Sequence, residues 1–168
     1  MGSFENTNWW KYADPLIRDL MRGAYVLLER EKAIVDGLHD YSFIVFPAAK
    51  AYEGFLKKLF LDLGLISRQQ YYGEYFRIGK ALSPSLPKRY RSGWVFGKLA
   101  GVCGGEELPL KMWQVWKRAR NRIFHFFPDH REFITLAEAE ELLAEITGVM
   151  DDSLAGCRRH TGFSLTNG

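Results

Sequence analysis

The chain has 168 residues, of which 47% are apolar and 15% aromatic, enough for one domain around a real core and incompatible with disorder along most of its length. No apolar run approaches the roughly 18–20 residues of a membrane span, and the start around Glu5 and Asn8 has neither the basic nor the apolar part of a secretory signal. Cys103 and Cys157 are too few for a disulfide framework and stand in no CxxC or Cys/His cluster, so a reducing, cytoplasmic protein without a metal or other cofactor is expected.

Asp14-Pro15 opens the first helix, with Asp at the N-cap and Pro at the first helical position. Leu16, Leu20, Ala24, Leu27 and Leu28 recur at helical spacing behind it, giving a helix from about Pro15 to Val35. In the second helix Ile44, Ala48, Tyr52, Phe55, Leu56, Leu59 and Leu63 form one stripe, closed by Gly64. Pro47 lies inside that pattern and predicts a kink or a delayed start.

The net charge of +3 is mild but unevenly placed. Between Ser67 and Lys98 stand Arg68, Arg77, Lys80, Lys88, Arg89, Arg91 and Lys98 against a single acid, Glu74. The same stretch carries Tyr71, Tyr72, Tyr75, Phe76, Tyr90, Trp94 and Phe96. Cations interleaved with aromatics suit a nucleic-acid strand, because phosphates are neutralised while bases stack. The same composition also describes a solvated insertion whose aromatics cover the core. Ser83-Pro84 and Leu86-Pro87 break the region, and a short helix follows from about Gly93 to Val102, ended by Gly104-Gly105.

A third helix is expected from about Leu108 to Phe126, before Pro128. On an ideal wheel with Trp113 at zero, Trp116, Ile123, Phe124 and Phe127 share its direction, and Arg120 falls at about 340°, in the middle of what reads as the buried face. A buried arginine cannot lose its proton and needs an anionic partner. Glu53, beside the apolar stripe of the second helix, is the best candidate and Asp62 the next. Asn121 and His125 lie on the neighbouring face, four residues apart, so they can meet across one turn. Such a seam is either a reactive cluster or an ion pair that sets helix register, with His125 as a helix-end cap. The last helix opens on a capping box, Thr135 with Glu138, and turns Leu136, Ala139, Leu143, Ile146 and Met150 inward. The expected architecture is all-α: an up-and-down bundle of four main helices forming a single domain over 1–168. Its core spans about 14–156, the basic and aromatic insertion about 65–107, and a loose tail about 161–168.

The run Arg120-Asn121-Arg122-Ile123-Phe124-His125 reads R-N-x-x-x-H on the helix before a capping-box helix. It resembles the motif of the HEPN superfamily (higher eukaryotes and prokaryotes nucleotide-binding domains), an Arg and a His separated by four to six residues. Ala51-Tyr52-Glu53-Gly54-Phe55-Leu56-Lys57 is similar to the A-x-E-x-x-L-K phrase of an earlier HEPN helix, and the resemblance spans roughly Asp14 to Leu154. Within the superfamily the likeness is to the catalytic domain of RNase LS-type toxins.

That resemblance implies a four-helix HEPN-like fold and a metal-independent endoribonuclease. Arg120, His125 and Glu53 would be catalytic, with Asn121 at the polar position beside the arginine. Lys88, Arg89, Arg91, Lys117 and Arg122 are the candidate RNA-binding cations. The implied partners are RNA, a second copy of the chain, and an antitoxin or a nucleotidyltransferase protein. HEPN partners of minimal nucleotidyltransferases carry an acceptor Tyr two residues after the motif His, where this chain has Phe126 and Phe127. A non-catalytic RNA- or nucleotide-binding module is the other alternative.

Overall fold

The structure, a computed structural model, describes residues 4–35, 37–124 and 133–161, except for the side chains of 121–122 and 158–161. The described residues are all-helical. Four long helices form the body: α2 (Pro15–Lys32), α3 (Ser42–Asp62), α7 (Glu107–Phe124) and α8 (Leu136–Thr161). Helix α3 packs on the other three, and α8 closes against both α2 and α7. Short helices α4 (Arg68–Tyr72), α5 (Ile78–Ala81) and α6 (Phe96–Cys103), with a 3-10 turn at Lys88–Tyr90, lie between α3 and α7, where the insertion is expected. Among the described residues no helix is long and apolar enough to cross a membrane.

A short helix, α1 (Asn8–Tyr12), precedes the expected start of the fold. Thr7 accepts from the Trp10 amide and caps it, the Trp9 amide donates to Asp151 on α8 at 2.8 Å, and the Trp9 side chain is fully buried. Of its three aromatic rings only Trp9 is fully buried, which periodicity over so few residues does not reveal. At the next boundary Asp14 holds the N-cap position ahead of Pro15, but its side chain makes no capping hydrogen bond.

Helix α2 ends at Lys32, short of Val35, because Ile34 and Val35 face solvent and gain nothing from continuing it. Helix α3 starts at Ser42, ahead of Pro47, so the start is not delayed. A proline there removes one bond near the first turns, and the buried stripe Ile44, Ala48, Tyr52, Phe55, Leu56 and Leu59 holds the segment helical. Gly64, at φ +68°, ends the helix in the left-handed conformation that favours glycine. The capping box forms as expected: the Thr135 amide donates to Glu138 Oε2 at 2.9 Å, and the Glu138 amide donates to Thr135 Oγ1 at 3.2 Å.

The insertion is part of the core on one side. Ile78, Leu82, Val95, Phe96 and Leu99 are buried, while Tyr72, Tyr75 and Tyr90 stand exposed. Part of its aromatic content therefore covers the core, and part is left on the surface. The cysteine reading is corrected: Cys103 at the end of α6 and Cys157 on α8 form a disulfide. The two residues are distant in sequence, and the packing of α6 on α8 brings them together. The expected tail falls outside the described residues except for Thr161, which closes α8.

Candidate active site

Glu53 sits on α3 between the buried Tyr52 and the half-buried Gly54, on the flank of the apolar stripe. Arg120 sits on α7, and the packing of α3 on α7 brings the two side chains together. Arg120 Nη1 donates to Glu53 Oε2 at 3.1 Å. The guanidinium carbon also lies 5.6 Å from the centre of the Trp116 ring and 5.0 Å from that of Phe124. These rings stand one helical turn before and after Arg120, where i±4 neighbours share a face. The guanidinium is thus held by a carboxylate and two aromatic rings, which restricts its orientation, and among the described residues only Nη1 has a hydrogen-bond partner.

The position of Arg120 differs from the sequence expectation. Met112, Val115 and Ala119 form the buried line of α7, which lies about 100° around the helix from the Trp113 and Arg120 direction. Trp113 and Trp116 are only half-buried and stack on each other, centroids 5.3 Å apart. Arg120 keeps 43% of its side chain exposed and Glu53 32%, so the pair lies at a seam opening to solvent rather than inside the core. Small Ala119 lets α7 approach α3 closely, and the broad indoles are too bulky for that position. Ala49, Lys50, Ala119 and the Arg120 cluster enclose a notch of about 20 Å³, about enough for one water. The guanidinium is therefore approachable only from its solvent side.

Asp62, the alternative partner, is engaged elsewhere. It accepts from the Tyr12 hydroxyl at 2.5 Å and from Lys58 Nζ at 3.1 Å. Burial, followed by the hydrogen bond to Asp62, pushes the Tyr12 phenol far above its ordinary value. Below Glu53, Tyr52 donates to the Met112 carbonyl at 3.1 Å and ties α3 to α7 in the core. Burial raises the Tyr52 phenol pKa well above its usual value, so it remains a donor.

His125 lies outside the described residues. Asn121 and Arg122 lie on α7, but their side chains are not among the described ones. The chain returning after the motif is pinned at Asp40, which sequence reasoning missed. Its carboxylate accepts from the Ile134 amide at 3.1 Å, the Ser42 amide at 3.1 Å and the Ser42 hydroxyl at 2.7 Å. Its slight burial raises the Asp40 pKa, but these hydrogen bonds outweigh that and hold the carboxyl below its usual range. The available signal was Asp40 two residues before Ser42, an arrangement that caps a helix start.

Of the candidate RNA-binding cations, Lys88, Arg89 and Lys117 are exposed. Arg89 lies over the Tyr90 ring at 4.8 Å. Arg91 is committed to the fold instead: its Nε donates to the Leu86 carbonyl at 2.8 Å and its guanidinium covers Trp94 at 4.2 Å. Arg118 turns away from the site and pairs with Glu145 on α8. Among the described residues no group of His, Cys, Asp and Glu is spaced to hold a metal ion.

The fold and seam define an all-helical protein presenting a carboxylate-anchored arginine on its third long helix. The family model described as RnaseLS-like HEPN matches residues 17–84, so this part of the chain is similar to HEPN domains of the RNase LS type. The matched stretch covers most of α2, all of α3 with Glu53, and the start of the insertion; Arg120 and His125 stand beyond it. No curated protein and no solved structure matches the chain.

Proposed function

We propose that the chain is a metal-independent endoribonuclease of the HEPN toxin type. The observation that carries this reading is the Arg120 guanidinium, fixed by Glu53 and two rings and still partly open to solvent, on the helix leading into His125. A planar fork of donors held in this way suits the equatorial oxygens of a phosphorane, which gain charge in the transition state.

In the proposed reaction the RNA 2′-oxygen attacks the adjacent phosphorus and the bond to the 5′-oxygen breaks. The products are a 2′,3′-cyclic phosphate and a 5′-hydroxyl. The 2′-hydroxyl proton passes to a base and the leaving oxygen takes one from an acid. His125 is suited to either transfer, because an imidazole titrates near ~6.5. Glu53 orients Arg120, and Asn121 holds the scissile phosphate. One motif supplies one proton-transfer group, so a two-fold dimer with two motifs facing one cleft supplies the second.

The test is cleavage of single-stranded RNA in the presence of EDTA, with wild type beside His125→Ala. Wild type is expected to cut and leave 2′,3′-cyclic phosphate ends, and His125→Ala to be inactive. Robust cutting by His125→Ala, or 5′-phosphate ends, would refute the mechanism. An RNA-binding module remains the reading if wild type binds RNA and leaves it intact.

A further inference from the structure

The insertion is docked onto the wall of the arginine site. Helix α5 lays Gly79 against Trp116, and a Cβ at that glycine would stand 2.5 Å from the indole Cη2. The ring thus receives the α5 backbone on one part of its surface and the Arg120 guanidinium on another. Immediately beside Gly79 opens a cleft of about 580 Å³, lined among others by Gln70, Tyr72, Tyr75, Arg77 and Lys80. That size is within the range of small-molecule and nucleotide sites.

The lining has two separable parts. Tyr72 is 72% exposed and Tyr75 91%, so these rings are not spent on the core, unlike Phe76 and Phe96 from the same stretch. Arg77 and Lys80 are exposed cations, and Arg77 donates to the backbone carbonyl of Glu74. Glu74 is the one acid on the wall. Open phenol rings with two cations can take unstacked bases and the phosphates between them; a base-paired helix hides the base faces that such rings need.

We propose that this cleft is the subsite in which a single-stranded RNA segment lies beside the arginine, its bases on Tyr72 and Tyr75 and its phosphates on Arg77 and Lys80. The proposal rests on the ribonuclease reading and deepens it by assigning the single strand a binding cleft on the insertion. It also moves the binding surface from Arg91, which the fold consumes, to cations next to Trp116.

The probe is a short, unstructured, fluorescently labelled 2′-O-methyl oligoribonucleotide, which has no 2′-hydroxyl to attack, so binding is read without cleavage. Tyr72→Ala with Tyr75→Ala is expected to weaken binding about ten-fold or more. Arg77→Ala with Lys80→Ala should lower the slope of log affinity against log salt by about 1.4, about 0.7 for each phosphate contact. A hairpin duplex should compete poorly. Melting curves of both variants should match wild type, since the four side chains are exposed.

Unchanged oligonucleotide affinity in both variants of a chain that cuts RNA overturns the subsite and leaves the ribonuclease. Cleft-dependent binding by a chain that cuts nothing supports the cleft and removes the ribonuclease reading. Equal competition by the duplex overturns the proposal and makes paired RNA an equally fitting occupant, whereas no oligonucleotide binding by wild type overturns it and makes an acidic protein the fitting one.

Discussion

Replacing Arg120 separates a catalytic from an architectural role, because the geometry predicts different sizes for the two effects. The Arg120–Glu53 pair is 3.1 Å long, but its partners retain 43% and 32% exposure. An ion pair in such a setting contributes about 0.5–1 kcal/mol, well below the 3–5 kcal/mol lost on breaking a buried one. The contacts with Trp116 and Phe124 add about 0.5 kcal/mol each at this exposure. Arg120→Ala should therefore destabilise by about 1.5–2 kcal/mol, a fall in Tm of about 3–8 °C. If the guanidinium stabilises transition-state charge, its loss costs about 10²–10³-fold in cleavage rate. Arg120→Lys keeps the charge without the planar fork and should lose most of the activity too. Rates measured well below both melting transitions, with calorimetry on the same samples, give the comparison. A fall of 3–5 kcal/mol in stability, with activity lost only as the folded fraction falls, would refute this reasoning and make the pair a register lock.

Two further outcomes follow from other parts of the molecule. The Cys103–Cys157 bridge spans a sequence separation of 54, for which loop closure corresponds to about 4 kcal/mol in the unfolded state. A thiol reagent should find no free cysteine in the unreduced, denatured protein, and reduction or Cys103→Ser should lower Tm by about 10 °C; two titratable thiols would refute the bridge. The depressed Asp40 pKa means that its contribution to stability is present above the unfolded-state carboxylate value and is lost as pH falls through the lower folded value. Acid melts of wild type should show this loss, and Asp40→Asn should flatten it; identical acid limbs would contradict the anchoring of Ile134 by Asp40.

Features set by neighbours along the chain were legible from residue order. The stripe of α3 and its stop at Gly64 follow from helical spacing and one positive φ. The Thr135–Glu138 capping box needs only residues three apart. Glu53 was legible as the partner of Arg120 because it stands at the flank of the α3 stripe, although the helical wheel placed Arg120 inside the buried face rather than at an open seam. The basic and aromatic composition of the insertion was also legible, but its division into a buried and an exposed side was not.

The sequence by itself determined which residues share a face of each helix, because the helical repeat fixes their relative angles. It left open the rotation of each helix against its neighbours, and only the tertiary structure decided that. Helix α7 could turn its indoles or the line of Met112, Val115 and Ala119 inward. Close approach to α3 selected Ala119, Val115 and Met112, which left Arg120 at an open seam. Tertiary packing likewise seated Gly79 on Trp116, committed Arg91 to the fold and joined Cys103 to Cys157. Each of these contacts depends on whether two surfaces distant in sequence fit at van der Waals distance, a condition that local periodicity does not contain.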